Sequence, residues 1–504
     1  MPIQMNFLST LIALALCVSA VNLSAQNRFQ YSEGEADTVL IELNAALQSY
    51  HPFAYRANGN ERLDSVLAVT RTELPELIKD DSIHVADLIE LAATFNEVIG
   101  DGHLQLTRKR DKSFNRLNKL FSYDFHTRYT EDGRIVLSDT LVLLDSTTFN
   151  PGTEVLSFQG ERPAKIYSRL GAFMGINDHD RASAKTFYPA LNPGTFYQRL
   201  YGWKDSLNLE LKTDRQRHKV LLLPSARMAY LNRDTTKPPV PKKVEKLNRK
   251  AKKRKRIASM ERLINLDTTS HPDIYVLRVR SFSSRNFKRV NEYRHSRDLM
   301  KRLDSLRAKG LIIDLRHNTG GSLNFVNHIY SMVADVDFYS GDGGMGYSER
   351  AQGKNIFDKV GSVIFSGVRK KDGAFVKKTL VERNKPDWGK EHFNGEVVAL
   401  VNQTTFSGGT CLANYVKTYK RGKVVGQIPG GSAERMFAGT LFKEAIGPEK
   451  SLLINMPLWY MDMPGDFEGN LIPDIIVPIT AEAIAAQRDD TIEAAVKSFY
   501  FVEN

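Results

Sequence analysis

The residue best placed to do chemistry in this sequence is Ser407, which follows an apolar run and precedes two glycines. Residues 397–416, VVALVNQTTFSGGTCLANYV, indicate a buried strand, a tight turn and a helix with apolar residues at helical spacing. Such a turn holds a hydroxyl clear of the sheet, beside the backbone N–H groups of a helix start. A nucleophile with part of an oxyanion hole needs that arrangement. An ordinary crossover with an N-capping serine fits the same pattern.

A second glycine pair, Gly320 and Gly321, follows another apolar strand in LIIDLRHNTGGS, residues 311–322. If the two strands are neighbours in a sheet, both turns meet at one edge, and their N–H groups could bind the oxyanion of acyl transfer. Phosphate binding is another use of such glycines, but neither GxxxxGK[ST] nor GxGxxG occurs. Serine-based acyl transfer is therefore the chemistry that fits best.

A histidine, His103, lies on the turn that follows a predicted helix in IGDGHLQL, residues 99–106. Glycines on both sides of Asp101 are typical of a helix C-terminus. A lone histidine at such a position is more often structural than catalytic. Asp101 could orient the histidine or merely cap the turn.

The other histidines do not indicate a metal site. His51, His103, His317 and His392 show neither HExxH nor CxxC spacing. We therefore predict no metal and no cofactor.

The net charge of +12 comes mostly from one segment, residues 237–256, which carries eleven Lys/Arg and one Glu. Without this segment the net charge is about +2, so the basicity is local and does not indicate nucleic-acid binding. Its Pro-rich start and like charges predict an exposed linker. Weak association with acidic lipid or polysaccharide surfaces is the alternative.

The N-terminus predicts export. Residues 7–20 are apolar, but this run is shorter than a transmembrane helix requires. The small residues at the end of Leu23-Ser24-Ala25 are typical of a signal-peptidase site and predict cleavage after Ala25. The mature chain would keep one cysteine, Cys411, so no internal disulfide can form. No second apolar stretch is long enough to span a bilayer.

The order of periodic segments predicts a multidomain α/β protein. We expect a signal peptide at 1–25, a helical N-terminal domain at 26–115, a β-rich domain at 116–234, the basic insertion at 235–262 and a catalytic domain at 263–504. Within the β-rich domain, residues 150–170 resemble a PDZ module, with Thr153 in place of its usual Asp and Gln159 in place of its Asn. Any small β-rich domain with a crossover helix is the alternative.

Four ordered motifs resemble the S41 family of serine peptidases: DLRHNTGGS, VVALVNQTTFSGG, VVGQIPGG and EGNLIPDIIV. IGDGHLQL and LQSYHPFAY are similar to the helical N-terminal domain of that family. The resemblance implies a ClpP/crotonase-like α/β catalytic domain after the helical and PDZ-like domains.

The resemblance also assigns roles. Ser407 matches the family nucleophile, His103 matches the histidine of the tricorn-like branch, and Glu468 matches its carboxylate. A neutral imidazole would take the serine proton. By the same resemblance, the oxyanion hole is formed by backbone N–H groups of Gly408 and of Gly320 or Gly321.

Several positions depart from the family pattern. Ser432 stands where C-terminal processing proteases have the lysine of a Ser–Lys dyad, and Lys423 is a poor substitute. Gly102 replaces a supporting serine of the tricorn-like branch, and Thr410 replaces a Glu common after the nucleophile turn. The sequence therefore favours the Ser-His-Glu branch over the Ser-Lys branch.

These observations predict an exported serine endopeptidase that cleaves peptide or protein substrates through an acyl-enzyme, in the periplasm or on the surface of a bacterium. The alternative is an inactive binding protein for peptides or apolar ligands on the same scaffold, which the absent lysine and Gly102 motivate. Substrate specificity and oligomeric state are not encoded in any motif found.

Overall fold

The computed structural model describes residues 29–109, 122–174 except 124, 190–225 except 203 and 215, 254, 257–283, 291–341, 343–346, 368–371, 374–377, 383–389 and 391–500. The predicted signal peptide and most of the predicted basic insertion lie outside these residues. Within them, no helix has both the length and the apolar character needed to cross a bilayer.

The helices are α1 (Glu33–Tyr50), α2 (Gly59–Glu73), α3 (Val85–Ile99), α4 (Pro163–Met174), α5 (Pro193–Tyr201), α6 (Glu292–Ser305), α7 (Leu323–Ser331), α8 (Gly408–Thr418), α9 (Ala481–Ala485) and α10 (Asp490–Ser498). Short 3₁₀ turns lie at Pro52–Tyr55, Leu74–Leu77 and Pro448–Lys450.

The strands in the first half of the chain are β1 (Gln30–Ser32), β2 (Ser82–His84), β3 (Gln105–Arg108), β4 (Thr127–Tyr129), β5 (Ile135–Leu137), β6 (Leu141–Val142), β7 (Thr148–Phe149), β8 (Glu154–Phe158), β9 (Leu207–Lys212) and β10 (Arg217–Leu222). Those that follow are β11 (Ile264–Asp267), β12 (Ile274–Val279), β13 (Gly310–Asp314), β14 (Phe338–Tyr339), β15 (Gly343–Gly346), β16 (Val368–Lys371), β17 (Ala374–Lys377), β18 (Arg383–Asn384), β19 (Glu396–Val401), β20 (Gly422–Gly426), β21 (Arg435–Ile446), β22 (Leu452–Asp462) and β23 (Ile475–Ile476).

The N-terminal part contains helices α1, α2 and α3. Helix α1 begins with a capping box in which the Ser32 side chain accepts the N–H of Glu35 and the Glu35 carboxylate accepts the N–H of Ser32. Helix α3 ends at Gly100, whose left-handed backbone (φ 68°, ψ 38°) suits a residue without a Cβ. The chain therefore turns sharply just before Asp101 and His103.

A five-stranded antiparallel sheet in the order β10-β9-β8-β5-β4 follows. Its strands alternate buried and exposed residues, for example in β9, so that one face packs on the core. Helices α4 and α5 contribute Tyr167, Leu170 and Leu200 to the same core, which continues into the N-terminal helices.

The part that carries Ser407 is built on a six-stranded sheet in the order β11-β12-β13-β19-β20-β23. Strands β12, β13, β19 and β20 pair in parallel, and β13 and β19 are buried along most of their length. Helices α7 and α8 lie against one face, while Ala495 of α10 packs on the other. Strands β13 and β19 are neighbours, so the condition under which the two glycine turns meet at one edge of the sheet holds.

A long antiparallel hairpin, β21–β22, joins this part to the N-terminal helices. The hairpin residues Phe437, Phe442, Leu452 and Ile454 belong to the same hydrophobic cluster as α1 and α3. Strand β3 pairs with β22 along Arg108↔Leu452 to Gln105↔Asn455. This pairing fixes the segment that contains His103 against the part that contains Ser407.

Candidate active site

Ser407 lies at the turn between β19 and α8, and its backbone is strained. Its φ of 52° and ψ of −123° are unusual for a residue with a side chain, and such strain is characteristic of functional turns. Ser407 is the N-cap residue of α8, yet its side chain accepts no capping hydrogen bond. The capping interpretation is therefore wrong, and the hydroxyl projects elsewhere.

The hydroxyl faces His103. The Nε2 atom of His103 lies 3.2 Å from Ser407 Oγ, although the two residues are 304 positions apart in sequence. The imidazole ring packs on the ring of Phe406, with centroids 4.7 Å apart. A nucleophile and a base within hydrogen-bond reach are the first geometric requirement for nucleophilic catalysis.

The two glycine turns lie against each other beside this pair. A Cβ added to Gly320 would lie 2.6 Å from Gly408 N and 2.8 Å from Ser407 Cβ. Gly320 (φ 94°) and Gly321 (φ 144°) both have backbones that other residues rarely adopt. Only glycine allows the backbones to approach this closely.

The N–H groups of these glycines differ in their partners. Gly320 N–H donates to Asn318 Oδ1 at 2.8 Å. Within the part of the chain that the structure describes, no hydrogen bond uses the N–H of Gly321 or of Gly408. Those two donors lie next to Ser407 and can serve an anionic ligand.

Asp101 contacts His103 twice and is fully buried. Its Oδ1 accepts the backbone N–H of His103 at 2.7 Å and lies 3.5 Å from His103 Nδ1. Burial raises the pKa of Asp101, but hydrogen bonds from His103 and His51 outweigh it and lower the pKa to about 2. The carboxylate is therefore ionised at neutral pH, on the side of the imidazole opposite Ser407.

Glu468 is not in that position. Its side chain is exposed, on the loop between β22 and β23, and among the described residues no contact joins it to His103 or Ser407. The adjacent Gly469 is held by the turn at Ser432, whose Oγ donates to Gly469 O at 3.1 Å. The catalytic role that the resemblance assigns to Glu468 stays a prediction.

Ser432 and Lys423, two residues at issue because the sequence departs from the family pattern, do not supply the base of a Ser–Lys dyad. Ser432 Oγ also accepts the N–H groups of Glu434 and Arg435, so it organises a turn. Lys423 of β20 pairs with Val398 of β19. It lies three residues before the end of β20 that is nearest Ser407, which at 3.3 Å per residue places it about 10 Å from that strand end. It is not placed to act as the base.

Thr410, in the first turn of α8, donates its Oγ1–H to Thr405 O at 3.3 Å and so links the helix to the turn before it.

No group of three or more His, Cys, Asp or Glu side chains in the described part of the chain could hold a metal ion.

The hydrogen-bonded polar side chains that lie beneath the Ser407 turn were not predicted from the sequence. His317 Nδ1 lies 2.9 Å from Thr404 Oγ1, and Asn402 Oδ1 accepts the N–H of His317. Burial, with the positive charges of Arg128, Arg280 and Arg316, lowers the pKa of His317 to about 4. A neutral His317 therefore supports the loop, and the DLRHNTGG motif offered a signal for it.

The comparisons with known proteins agree with this architecture. Residues 273–446 match the family model described as Peptidase family S41, and this range includes Ser407 and both glycine turns but neither His103 nor Glu468. No curated protein matches the sequence.

Solved structures extend the likeness beyond that range. Mature CPAF complexed with lactacystin has a TM-score of 0.59 and 14% sequence identity, covering 92% of this chain and 98% of that chain. Another structure of mature CPAF has a TM-score of 0.58 and 14% identity, covering 92% of this chain and 97% of that chain. At this identity the likeness concerns the fold, which is a mixed α/β multidomain architecture.

Proposed function

We propose that this protein is a serine peptidase that hydrolyses peptide bonds through an acyl-enzyme on Ser407, with His103 as general base. The observation that carries the proposal is the 3.2 Å contact between His103 Nε2 and Ser407 Oγ at a strained, uncapped turn. The match of residues 273–446 to Peptidase family S41 supports peptide bonds as the substrate class. No contact of the described residues favours the binding-protein alternative.

The chemistry follows from the positions of the two side chains. His103 Nε2 takes the hydroxyl proton as Ser407 Oγ bonds to the scissile carbonyl carbon, and the π electrons of the C=O bond move to the oxygen, which becomes the oxyanion. Collapse of this intermediate breaks the C–N bond, and His103 returns the proton to the leaving amine. A water molecule, deprotonated by His103, then attacks the ester carbon. The bond from that carbon to Ser407 Oγ breaks, His103 returns the proton to Oγ, and the second product leaves as a carboxylic acid.

The oxyanion hole that we propose is formed by the N–H groups of Gly408 and Gly321. The alternatives from the sequence were Gly320 and Gly321, and the bond from Gly320 N–H to Asn318 Oδ1 favours Gly321 as the second donor. Gly320 would then act through its position, because it allows the two turns to touch. Donors fixed before the reaction stabilise the developing charge without reorganisation.

Gly320→Ala is expected to lower kcat by about 10²- to 10³-fold, since its Cβ would separate the two turns that form the oxyanion hole. The measurement is steady-state cleavage of a fluorogenic peptide. Gly133→Ala is the matched control, because Gly133 also has a positive φ (81°) but has nothing within 4 Å of an added Cβ. The control should lose about 1–3 kcal/mol of stability and keep its kcat. Equal activity in both variants would contradict the proposed hole.

The reaction class is tested with a peptide library prepared from a digested proteome, incubated with the full chain. Mass spectrometry should detect new N- and C-termini whose number grows with time. The expected kinetics include an initial burst of the first product if hydrolysis of the acyl-enzyme is slower than its formation. A complete absence of new termini, with protein that is folded by circular dichroism, would overturn the proposed function.

Glu468→Gln tests the carboxylate that the resemblance assigns to catalysis. The substitution keeps size but removes charge, and we expect kcat to fall by about 10-fold or more if the carboxylate assists proton transfer. Cleavage of the same fluorogenic peptide provides the measurement, with Glu482→Gln, another exposed glutamate, as control. An unchanged kcat would remove Glu468 from the site.

The remaining proposals concern the PDZ-like part, the cellular location and the basic insertion. We propose that the five-stranded sheet with α4 and α5 is a PDZ-like module that offers a sheet edge to extended peptides. We also propose export to the bacterial periplasm or cell surface, with the predicted signal peptide removed. The basic insertion would associate at most weakly with acidic surfaces.

A further inference from the structure

Behind His103, the polar contacts continue into the core of the N-terminal helices. Asp101 and His51 are both fully buried, and His51 Nε2 lies 3.0 Å from Asp101 Oδ2. The second oxygen of the same carboxylate faces His103. Ser407, His103, Asp101 and His51 therefore form one continuous row, of which the last two members are fully buried.

The contacts of His51 determine which of its ring nitrogens carries the proton. His51 Nδ1 accepts the backbone N–H of Phe53 at 3.1 Å, so it cannot itself carry a proton. In the neutral ring the proton then lies on Nε2, which donates to Asp101 Oδ2. One carboxylate oxygen is thus occupied by His51, and the other is left to accept from His103.

The surroundings hold this arrangement rigidly. The N–H of His51 donates to Leu47 O at the end of α1, and its ring packs on Phe437 of β21, with centroids 5.0 Å apart. The backbone of Asp101 is held on both sides by the Asn96 side chain, which accepts its N–H at 3.0 Å and donates to its C=O at 2.8 Å. With its backbone fixed in this way, the orientation of the Asp101 carboxylate depends mainly on its hydrogen bonds.

We propose that Asp101 and His51 form a buried positioning pair, in which the Nε2–H of His51 fixes the Asp101 carboxylate so that it orients the imidazole of His103 toward Ser407. This inference rests on the proposed function, since it concerns the same base. It gives His51 a role in the rate of the chemical step although His51 touches neither Ser407 nor substrate. A carboxylate that fixes the tautomer of a general base is a large contribution in other serine hydrolases.

Two amide substitutions at His51 separate positioning from folding. In His51→Gln the amide nitrogen can take the place of Nε2 and still donate to Asp101, but the acceptor for Phe53 N–H is lost. In His51→Asn the amide oxygen can take the place of Nδ1 and keep the Phe53 bond, but no donor reaches Asp101. A positioning role predicts that His51→Asn is the slower enzyme, whereas a purely structural capping role predicts that His51→Gln is the more damaged variant.

His84 supplies a matched control for capping. It caps α3 in the same manner, with Nδ1 accepting the N–H of Ala86 at 3.1 Å, but none of its described contacts involves Asp101. His84→Gln therefore measures the cost of losing such a cap, together with the ring contacts to Phe29 and Tyr201, at a site away from Asp101. Thermal unfolding midpoints of all variants show whether each one is folded at the assay temperature.

The experiment measures kcat, KM and the rate of fluorophosphonate labelling for the full chain and each variant. We expect His51→Asn to lower kcat and the labelling rate by about 10- to 100-fold with little change in KM. His51→Gln should retain most of the kcat and of the labelling rate of the unsubstituted protein. Equal rates in the two variants, or a slower His51→Gln, would overturn the positioning pair. If the unsubstituted protein neither cleaves nor labels, the proposed function fails instead, so the two failures are distinguishable.

Discussion

Ser407→Ala is expected to lower kcat by about 10⁴-fold or more while leaving the protein folded. The loss should be large because no other group can form the acyl-enzyme, and only binding and oxyanion stabilisation would remain. The side chain makes no capping bond in α8, so its removal should cost little stability. Peptide cleavage and thermal unfolding of the purified variant are the two measurements.

The control for this prediction is Ser432→Ala. Ser432 lies in a neighbouring glycine turn, and its side chain forms hydrogen bonds with Gly469, Glu434 and Arg435. Its loss should therefore cost about 1–3 kcal/mol of stability and leave the acyl-enzyme chemistry intact. The opposite outcome, with Ser407→Ala active and Ser432→Ala inactive, would show that the nucleophile has been assigned to the wrong turn.

His103→Gln is expected to produce a loss about as large as that of Ser407→Ala. Glutamine approximates the volume of histidine but cannot take the proton from Ser407 Oγ at 3.2 Å. Since the two side chains act as one unit, the double variant should be scarcely slower than either single variant. The fluorogenic cleavage assay for the two single variants and the double variant completes a mutant cycle.

The control for the base is His392→Gln. His392 is also buried, but its ring nitrogens contact Asn394 Oδ1 and Ala334 O. Any loss of activity in this control should follow its loss of stability. Losses of Ser407→Ala and His103→Gln that simply add in the double variant would show that the two residues act independently and would exclude a shared proton transfer.

The local parts of the site could be predicted from the sequence because they depend on short-range patterns. The strand, turn and helix around Ser407 are encoded by an apolar run, two glycines and helical spacing, and the structure has them at β19 and α8. The position of His103 just after a helix stop at Gly100 was predictable for the same reason. The adjacency of the glycine turns required only that β13 and β19 be neighbours.

The long-range parts could not be predicted in this way. The contact of His103 with Ser407 depends on the pairing of β3 with β22, which no periodicity encodes, and only a family resemblance suggested it. The sequence left the role of Asp101 open between orienting a histidine and capping a turn. In the structure Asp101 Oδ1 accepts the backbone N–H of His103, which caps the turn, and also lies 3.5 Å from His103 Nδ1, so the geometry of both roles is present.

The most direct test of the central claim is to label the protein with a fluorophosphonate probe and to identify the modified residue by peptide mapping. The probe reacts with a serine hydroxyl only when a base activates it. The account predicts a single modified residue, Ser407, and a labelling rate at least about 10³-fold lower in His103→Gln. Modification of another serine, or labelling of Ser407 at an unchanged rate in His103→Gln, would contradict it.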